Sequence, residues 1–289
     1  MTNAALFWTL LVLTSVPIAS AISYSETVQQ WRQTREAKLK ADDGWLTVAG
    51  LFWLEPGSNK TGSEDENPVR LPDGYPKVFG SFDRKGEEVV FKSASGIFTT
   101  PGGPEIAMKS DGGGETPDLL RFRDLTLFVI KRGDRLGIRL RDTKSKMRRE
   151  FKGLHWFPVK ESYRIEAKWV AYAQPKAIAI PNVLNQIEEQ KSLGYAIFQL
   201  NGKEHTLEPV VEGQELFYIF KDMTAGKQTY PAGRFLYSEM PVNGKVILDF
   251  NKAHNPPCAF TPYATCPLPP KQNRLQTRIE AGELTYGHY

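Results

Sequence analysis

At 289 residues, 40% hydrophobic and 24% charged, the chain can bury one large core or two ordinary ones, which excludes a disordered polymer. Lys plus Arg exceed Asp plus Glu by 37 to 33, and a net charge of +4 over this length identifies no nucleic-acid partner. Two cysteines cannot build a disulfide scaffold, and 24 glycines with 20 prolines read as turn punctuation in a strand-rich fold.

No residue from Ala4 to Ala21 is charged, and an apolar run there is followed by Pro17 and the small-residue pattern Ala19-Ser20-Ala21. Residues 1–21 therefore read as a signal peptide cut after Ala21. A membrane anchor is the competing reading, but Thr9, Thr14, Ser15 and Pro17 shorten the apolar part. The expectation is an exported protein, periplasmic or extracellular, with no stable membrane insertion after cleavage and an oxidising environment around its thiols.

Ser23 and Glu26 have the spacing of a capping box, and Val28, Trp31, Arg35 and Leu39 follow at helical intervals, so one helix is expected within residues 22–44. From Trp45 to Leu54 the chain is nearly continuously apolar and ends in a Pro56-Gly57 turn. Short strands follow at Glu88–Phe91, Gly96–Thr100 and Glu105–Met108. Leu125–Ile130 turns at Gly133 into Arg135–Arg141, where Leu136, Ile138 and Leu140 alternate with arginines, as in a hairpin with one core face and one solvent face. Beyond Leu154 lie further strands at Arg164–Val170 and Ala177–Ile180, and Asn201-Gly202 and Asn243-Gly244 mark two hairpins. The fold class expected is mainly β: two antiparallel β domains, 45–150 as a sandwich and 151–289 as a second domain, after one N-terminal helix.

No nucleophile elbow, phosphate-binding loop, zinc-protease helix or dinucleotide fingerprint is present, so no cofactor is expected. Gly112-Gly113-Gly114 follows Asp111 between strands and reads as a turn. Ten Lys and Arg against three acids between Lys131 and Lys152 could attract an anionic polymer. The plainer reading, a solvated basic face without nucleic acid, is preferred.

The segment from Leu248 to Pro270 is the densest in chemistry. Six prolines flank or separate Cys258 and Cys266, and Asp249, Asn251, His254, Asn255 and Tyr263 share the stretch, with Asn273 and Arg274 just beyond. Three readings compete for it: a Cys258–Cys266 disulfide, a metal site adding His254, or free thiols packed as small hydrophobes. The H-x3-C-x7-C spacing matches no standard zinc site, so no metal is expected. A catalytic thiolate needs a nearby cation, which by sequence could only be His254 or Arg274. Upstream, Asp222, Thr224 and Tyr230 cluster at a turn leading to Arg234, which is either a salt-bridge partner of Asp222 or Asp249 or an anion clamp.

The run from Phe217 to Tyr237, then Asp249 to Phe260, Tyr263 to Pro270 and Asn273-Arg274-Leu275, closely resembles the bacterial domain of unknown function family 1684. Gly44-Trp45-Leu46, Gly50 to Leu54 and Ile180 to Leu184 are similar to further pieces of its signature. The resemblance implies no activity. Gly57 to Leu71 is similar to the opening of forkhead-associated β-sandwiches, with Ser63 where the phosphate-gripping arginine would stand.

The function expected is binding of a small anionic or polar molecule in a pocket of the second domain. Arg234 and Arg274 would contact the anion, and Asn251, Asn255, Tyr263 and Asn273 would supply hydrogen bonds. Two alternatives stand beside it: a hydrolase with Asp222 or Asp249 as general base and Arg234 at the oxyanion, and a loop that is purely structural.

Overall fold

The computed structural model describes residues 22–94 and 104–287; the expected signal peptide at 1–21 and the expected strand at Gly96–Thr100 lie outside them. Among the described residues one long helix, α1 (Tyr24–Lys40), and a single-turn helix, α2 (Lys146–Arg149), accompany sixteen strands. The first half contributes β1 (Val48–Trp53), β2 (Gly57–Gly62), β3 (Val69–Arg70), β4 (Gly80–Lys85), β5 (Glu88–Ser93), β6 (Glu105–Ala107), β7 (Leu120–Phe122), β8 (Leu125–Arg132) and β9 (Arg135–Asp142). The second contributes β10 (Arg164–Pro181), β11 (Ile187–Leu200), β12 (Lys203–Leu207), β13 (Val210–Glu212), β14 (Glu215–Phe220), β15 (Arg234–Glu239) and β16 (Lys245–Asp249). The chain is mainly β, and all named strand pairings are antiparallel except β2 with β3.

Helix α1 begins where its sequence says. Ser23 Oγ accepts the Glu26 N–H at 3.3 Å while the Glu26 carboxylate accepts the Ser23 N–H at 2.7 Å, satisfying two backbone donors that a helix start leaves orphaned. Val28 and Leu39 are buried on its inner side.

In the first half the sheets β3-β2-β4-β5-β6 and β1-β9-β8-β7 share one core, with Phe79, Phe82 and Phe91 from one meeting Leu127, Val129 and Ile138 from the other. In the second half β12-β11-β10-β16 and β13-β14-β15 enclose Ala167, Phe198, Tyr218, Phe220, Leu248 and Phe250. The sheet containing β14 is buried on both faces, because Phe217, Ile219 and Phe235 pack outward against Ile178, Ile180 and Cys266. That explains the unbroken apolar run Leu216–Phe220, which lacks the alternation of a half-exposed strand.

Three expectations are revised. Arg164–Val170 and Ala177–Ile180 are one strand rather than two: β10 runs through Gln174-Pro175 by shifting register against β11 between Ala171 and Lys176. Asn201-Gly202 closes the β11–β12 hairpin, both residues at positive φ as a two-residue hairpin turn requires. Asn243-Gly244 has the same local geometry, yet β15 and β16 belong to different sheets, so this turn carries the chain from one layer to the other. Finally, the arginine face of β9 is not all solvent. Arg139 is 4% exposed because the second half covers it, and its guanidinium lies 5.1 Å from the Trp45 ring.

The halves are joined where the proline-rich loop lies on β1 and β8. Thr261 Oγ1 donates to the Val48 carbonyl at 2.9 Å, and Arg132 Nε donates to Thr265 Oγ1 at 2.9 Å. The basic segment is occupied by internal partners: Lys131 with Glu87, Arg132 with Asp111, Lys144 with Asp124, Arg148 with Asp42, and Arg135 over the Trp53 ring.

Candidate functional site

Trp31, Arg35 and Lys38, four and three residues apart on α1, form one wall of a groove of about 980 Å³. The opposite wall is Tyr237 and its neighbours on β15, the rim of β16, and His254. The position of His254 is fixed by backbone pairing rather than by β16: its N–H and C=O exchange hydrogen bonds with Phe235 at 2.9 and 2.8 Å. This extends β15 by one more edge and places the imidazole against the Tyr237 ring, stacked at 6.0 Å with a 10° interplanar angle. Trp31 meets the other side of the imidazole at 5.8 Å, and Phe217 continues the stack behind Tyr237 at 4.7 Å.

The electrostatics disfavour proton transfer at His254. Burial and the adjacent Arg35 cation push His254 down to about 3, so the ring is neutral at ordinary pH. Its Nδ1–H donates to the Lys252 carbonyl at 3.1 Å, which leaves Nε2 as the acceptor nitrogen. Arg35 reaches beneath the ring, donating from Nη2 to the Asn255 carbonyl at 2.9 Å and from Nε towards Glu283 at 3.4 Å. Glu283 is wholly buried and its carboxyl is pushed up to about 7 by desolvation, with Arg35 opposing. Tyr237 donates its hydroxyl to Glu212 at 3.0 Å, and Lys245 pairs with Glu166 at 2.6 Å on the rim.

The structure separates the residues that the sequence grouped into one pocket. Asp222 and Arg234 form an ion pair at 3.0 Å with both side chains 1% exposed. Asp222 also accepts from Thr224 and from the Ile279 N–H at 2.7 Å, while Arg234 donates to the carbonyls of Ile279 and Ala281. Arg234 is therefore spent inside the protein and meets no ligand surface, and Asp222 is sealed with it, which removes the expected oxyanion contact and one of the two expected bases. Asn273 is likewise internal: it bridges the Glu208 and Ile219 carbonyls and accepts from the Glu208 N–H. Asn255 is fully buried and donates to the Leu284 carbonyl at 2.7 Å. Arg274 and Tyr263 are exposed away from the groove, Arg274 donating to the Pro269 carbonyl at 3.3 Å.

Only Asp249 of the expected set lines the groove directly, and Asn251 supports it. Asp249 accepts the Tyr24 hydroxyl at 2.6 Å and pairs with Lys252 at 3.5 Å; Asn251 donates to the Tyr24 oxygen at 2.9 Å and bridges the backbone of Lys160 in both directions. Tyr24 is pushed well above the usual phenol range by burial and by Asp249, so it remains a donor. Cys258 and Cys266 are separate thiols, the Cys258 N–H donating to Cys266 Sγ at 3.1 Å, so no bond joins them in this structure. Among the described residues no cluster of three His, Cys, Asp or Glu is placed to hold a metal ion. The groove residues that the sequence reading missed are Trp31, Arg35, Lys38 and Tyr237. The signal present was the helical spacing of Trp31 and Arg35 with Val28 and Leu39, read there only as marking a helix.

The family model for "Protein of unknown function (DUF1684)" matches residues 149–284, the part of the chain that carries β10 to β16, the proline-rich loop and His254. The solution NMR structure of an uncharacterized protein from Haloarcula marismortui is similar to this chain at 30% sequence identity, covering 49% of this chain and 81% of that one, with a TM-score of 0.41. No curated protein matches.

Proposed function

We propose, for a chain that belongs to the DUF1684 family of proteins of unknown function, that the groove beside α1 binds a small, planar, polar ligand carrying an anionic group. The observation that carries this reading is the aromatic set Trp31, His254 and Tyr237, which the two walls bring together, kept uncharged at neutral pH and set beside the Arg35 and Lys38 cations. A planar group stacked on such rings gains about 0.5–1.5 kcal/mol beyond the area it buries, and the neighbouring cations select an anion. A histidine held near 3 is a poor general base at neutral pH, which favours binding over acid–base catalysis.

The remainder of the proline-rich loop reads as structure, since Phe260, Thr261, Ala264 and Cys266 are buried where it staples the two halves together. Export through residues 1–21 is part of the same proposal, checked by sequencing the N-terminus of the secreted protein.

The binding reading is tested by titrating the protein with benzoate, and with benzylamine as the oppositely charged control, while following the His254 ring and Trp31 indole by NMR. Benzoate alone should shift both, and Lys38→Ala, an exposed change outside the core, should weaken the effect. Equal shifts with both compounds, or none with either, would refute it.

A further inference from the structure

Arg139 is a poorly compensated buried charge. Its Nε and Nη2 are buried and meet no hydrogen-bond partner among the described residues. A guanidinium taken out of water without an anion is costly, and natural cores rarely leave one so. The neighbouring Arg132 does not share the difficulty, because it grips Asp111 through both Nη atoms at 2.9 Å. Trp45 links Arg139 to the cysteine loop: its ring lies 5.1 Å from the guanidinium and packs on the same cluster as Cys266 and Cys258.

The two thiols are in contact. The Cys258 N–H points at Cys266 Sγ at 3.1 Å, Cys266 is 4% exposed, and Cys258 is the half-buried member nearer to solvent. The Tyr230 hydroxyl donates to the Cys258 carbonyl at 3.1 Å and holds that end of the loop. Where the sequence could seek a cation only in His254 or Arg274, the field of Arg139, from the other half of the chain, acts on both thiols.

We propose that Cys258, Cys266 and Arg139 form a thiol oxidation site in which Cys258, as a thiolate within the field of the Arg139 guanidinium, reacts with a hydroperoxide and Cys266 resolves the product. The sulfur of Cys258 attacks one peroxide oxygen; the O–O bond breaks, a sulfenic acid forms, and the released hydroxide takes up a proton to become water. The Cys266 thiol then displaces the sulfenic oxygen as a second water while an S–S bond forms between the two residues. The protein loses two protons and two electrons, and hydrogen peroxide becomes two molecules of water.

The order of roles follows from the surroundings. Cys258 is the thiol nearer to solvent and Cys266 the buried one, and hydrogen bonding from Cys266 with the field of Arg139 lowers Cys258 below the usual thiol range, whereas the hydrogen bond with Cys258 and burial raise Cys266. The charged and titratable groups around the pair are Arg139, with Arg132 and Asp111 near it as a mutual ion pair, and the Tyr230 phenol, which burial and the two cysteines hold above its usual range and therefore neutral. The proline-rich loop keeps the two cysteines close before oxidation, so closing the bond demands little rearrangement.

The test treats the reduced full chain with dilute hydrogen peroxide, quenches, denatures and alkylates. The expected product is one species in which both thiols are lost together, with the mass of an internal disulfide. A Cys266→Ser chain should instead stop at a sulfenic acid on Cys258 that dimedone traps. Oxidation should slow about tenfold or more in Arg139→Met, with the pH midpoint of the rate moving upward as the thiolate loses its counter-charge. Should Arg139→Met not fold, the pH–rate profile of the unmodified chain decides. A midpoint below that of a denatured-chain cysteine supports the site, and one at or above it overturns it. Oxidation of Cys266 first, or an unchanged rate in a folded Arg139→Met, also overturns it.

Discussion

Arg35 and Glu283 meet at 3.4 Å, Arg35 reaching from α1 beneath the groove to a carboxylate with no solvent exposure, 248 residues away in sequence. Glu283 Oε1 and Asn255 Oδ1 are both buried acceptors without a partner among the described residues, which is the pattern expected where a carboxyl prefers to carry its proton.

Stability should therefore depend on Glu283 in a definite direction. Its folded value, about 7, lies above the ordinary 4.5, so the folded state holds the proton more tightly. The contribution is fully present below about pH 4.5 and is lost as pH rises through about 7, an effect on the order of 3 kcal/mol. His254 acts oppositely. Its value falls from 6.5 to about 3, so its contribution is present above 6.5 and lost as pH falls towards 3. The two slopes oppose one another in the window they share. Glu283→Gln should gain stability relative to the parent as pH is raised from about 5 to about 8, read from urea midpoints. A constant difference across that range would show that Glu283 ionises normally.

Asp222→Ala should be among the most damaging single changes. It leaves Arg234 buried beside only carbonyl acceptors, and breaking such a pair costs about 3–5 kcal/mol. Asp222→Ala combined with Arg234→Met should cost less than the two single losses added together, because no isolated charge remains. Chemical denaturation of the three chains measures the coupling. Additive losses would mean that the pair does not act as a unit.

What the sequence disclosed was local. The Ser23 cap, the Asn201-Gly202 turn and the Leu125–Arg141 hairpin depend on residues within a few positions of one another, and their chemistry has few alternatives. Arg164–Val170 and Ala177–Ile180 read as two strands from their separate patterns, yet β10 passes through Pro175 because an irregularity between Ala171 and Lys176 absorbs it. Arg139 alternates with apolar neighbours as a solvated arginine would, yet it is buried beside Trp45, whose ring packs on core residues of the second half. The groove was illegible for the same reason. Trp31, Tyr237 and His254 meet only because His254 pairs with Phe235 across the connection that contains β16, and no spacing encodes that pairing.

Gly282 is a position where only glycine fits. Its φ is +83°, and a Cβ there would lie 2.4 Å from the Ala253 carbonyl oxygen and 2.8 Å from that of Phe250. Both contacts are backbone, so neither yields cheaply. Gly282→Ala should cost about 3 kcal/mol, and because Ala253 precedes His254, it should also disturb the His254 ring resonances. Gly202→Ala, also at positive φ but with nothing within 4 Å, should cost clearly less. Equal losses at the two sites would remove the steric argument.

Tyr24 offers a check on how α1 is held against the groove. Its hydroxyl donates to Asp249 at 2.6 Å and accepts from Asn251 at 2.9 Å, so Tyr24→Phe removes a donor from a buried carboxylate and an acceptor from a buried amide at once. The cost should be about 1–3 kcal/mol, larger than for an exposed tyrosine. Asp249→Asn retains an oxygen for the hydroxyl but gives up the charge opposite Lys252 at 3.5 Å, a partly exposed pair of small worth. It should therefore be milder than Tyr24→Phe. Hydrogen exchange in α1 should rise in Tyr24→Phe and hardly change in Asp249→Asn. The reverse order would mean that the carboxylate charge, and not the shared hydroxyl, fastens the helix to β16.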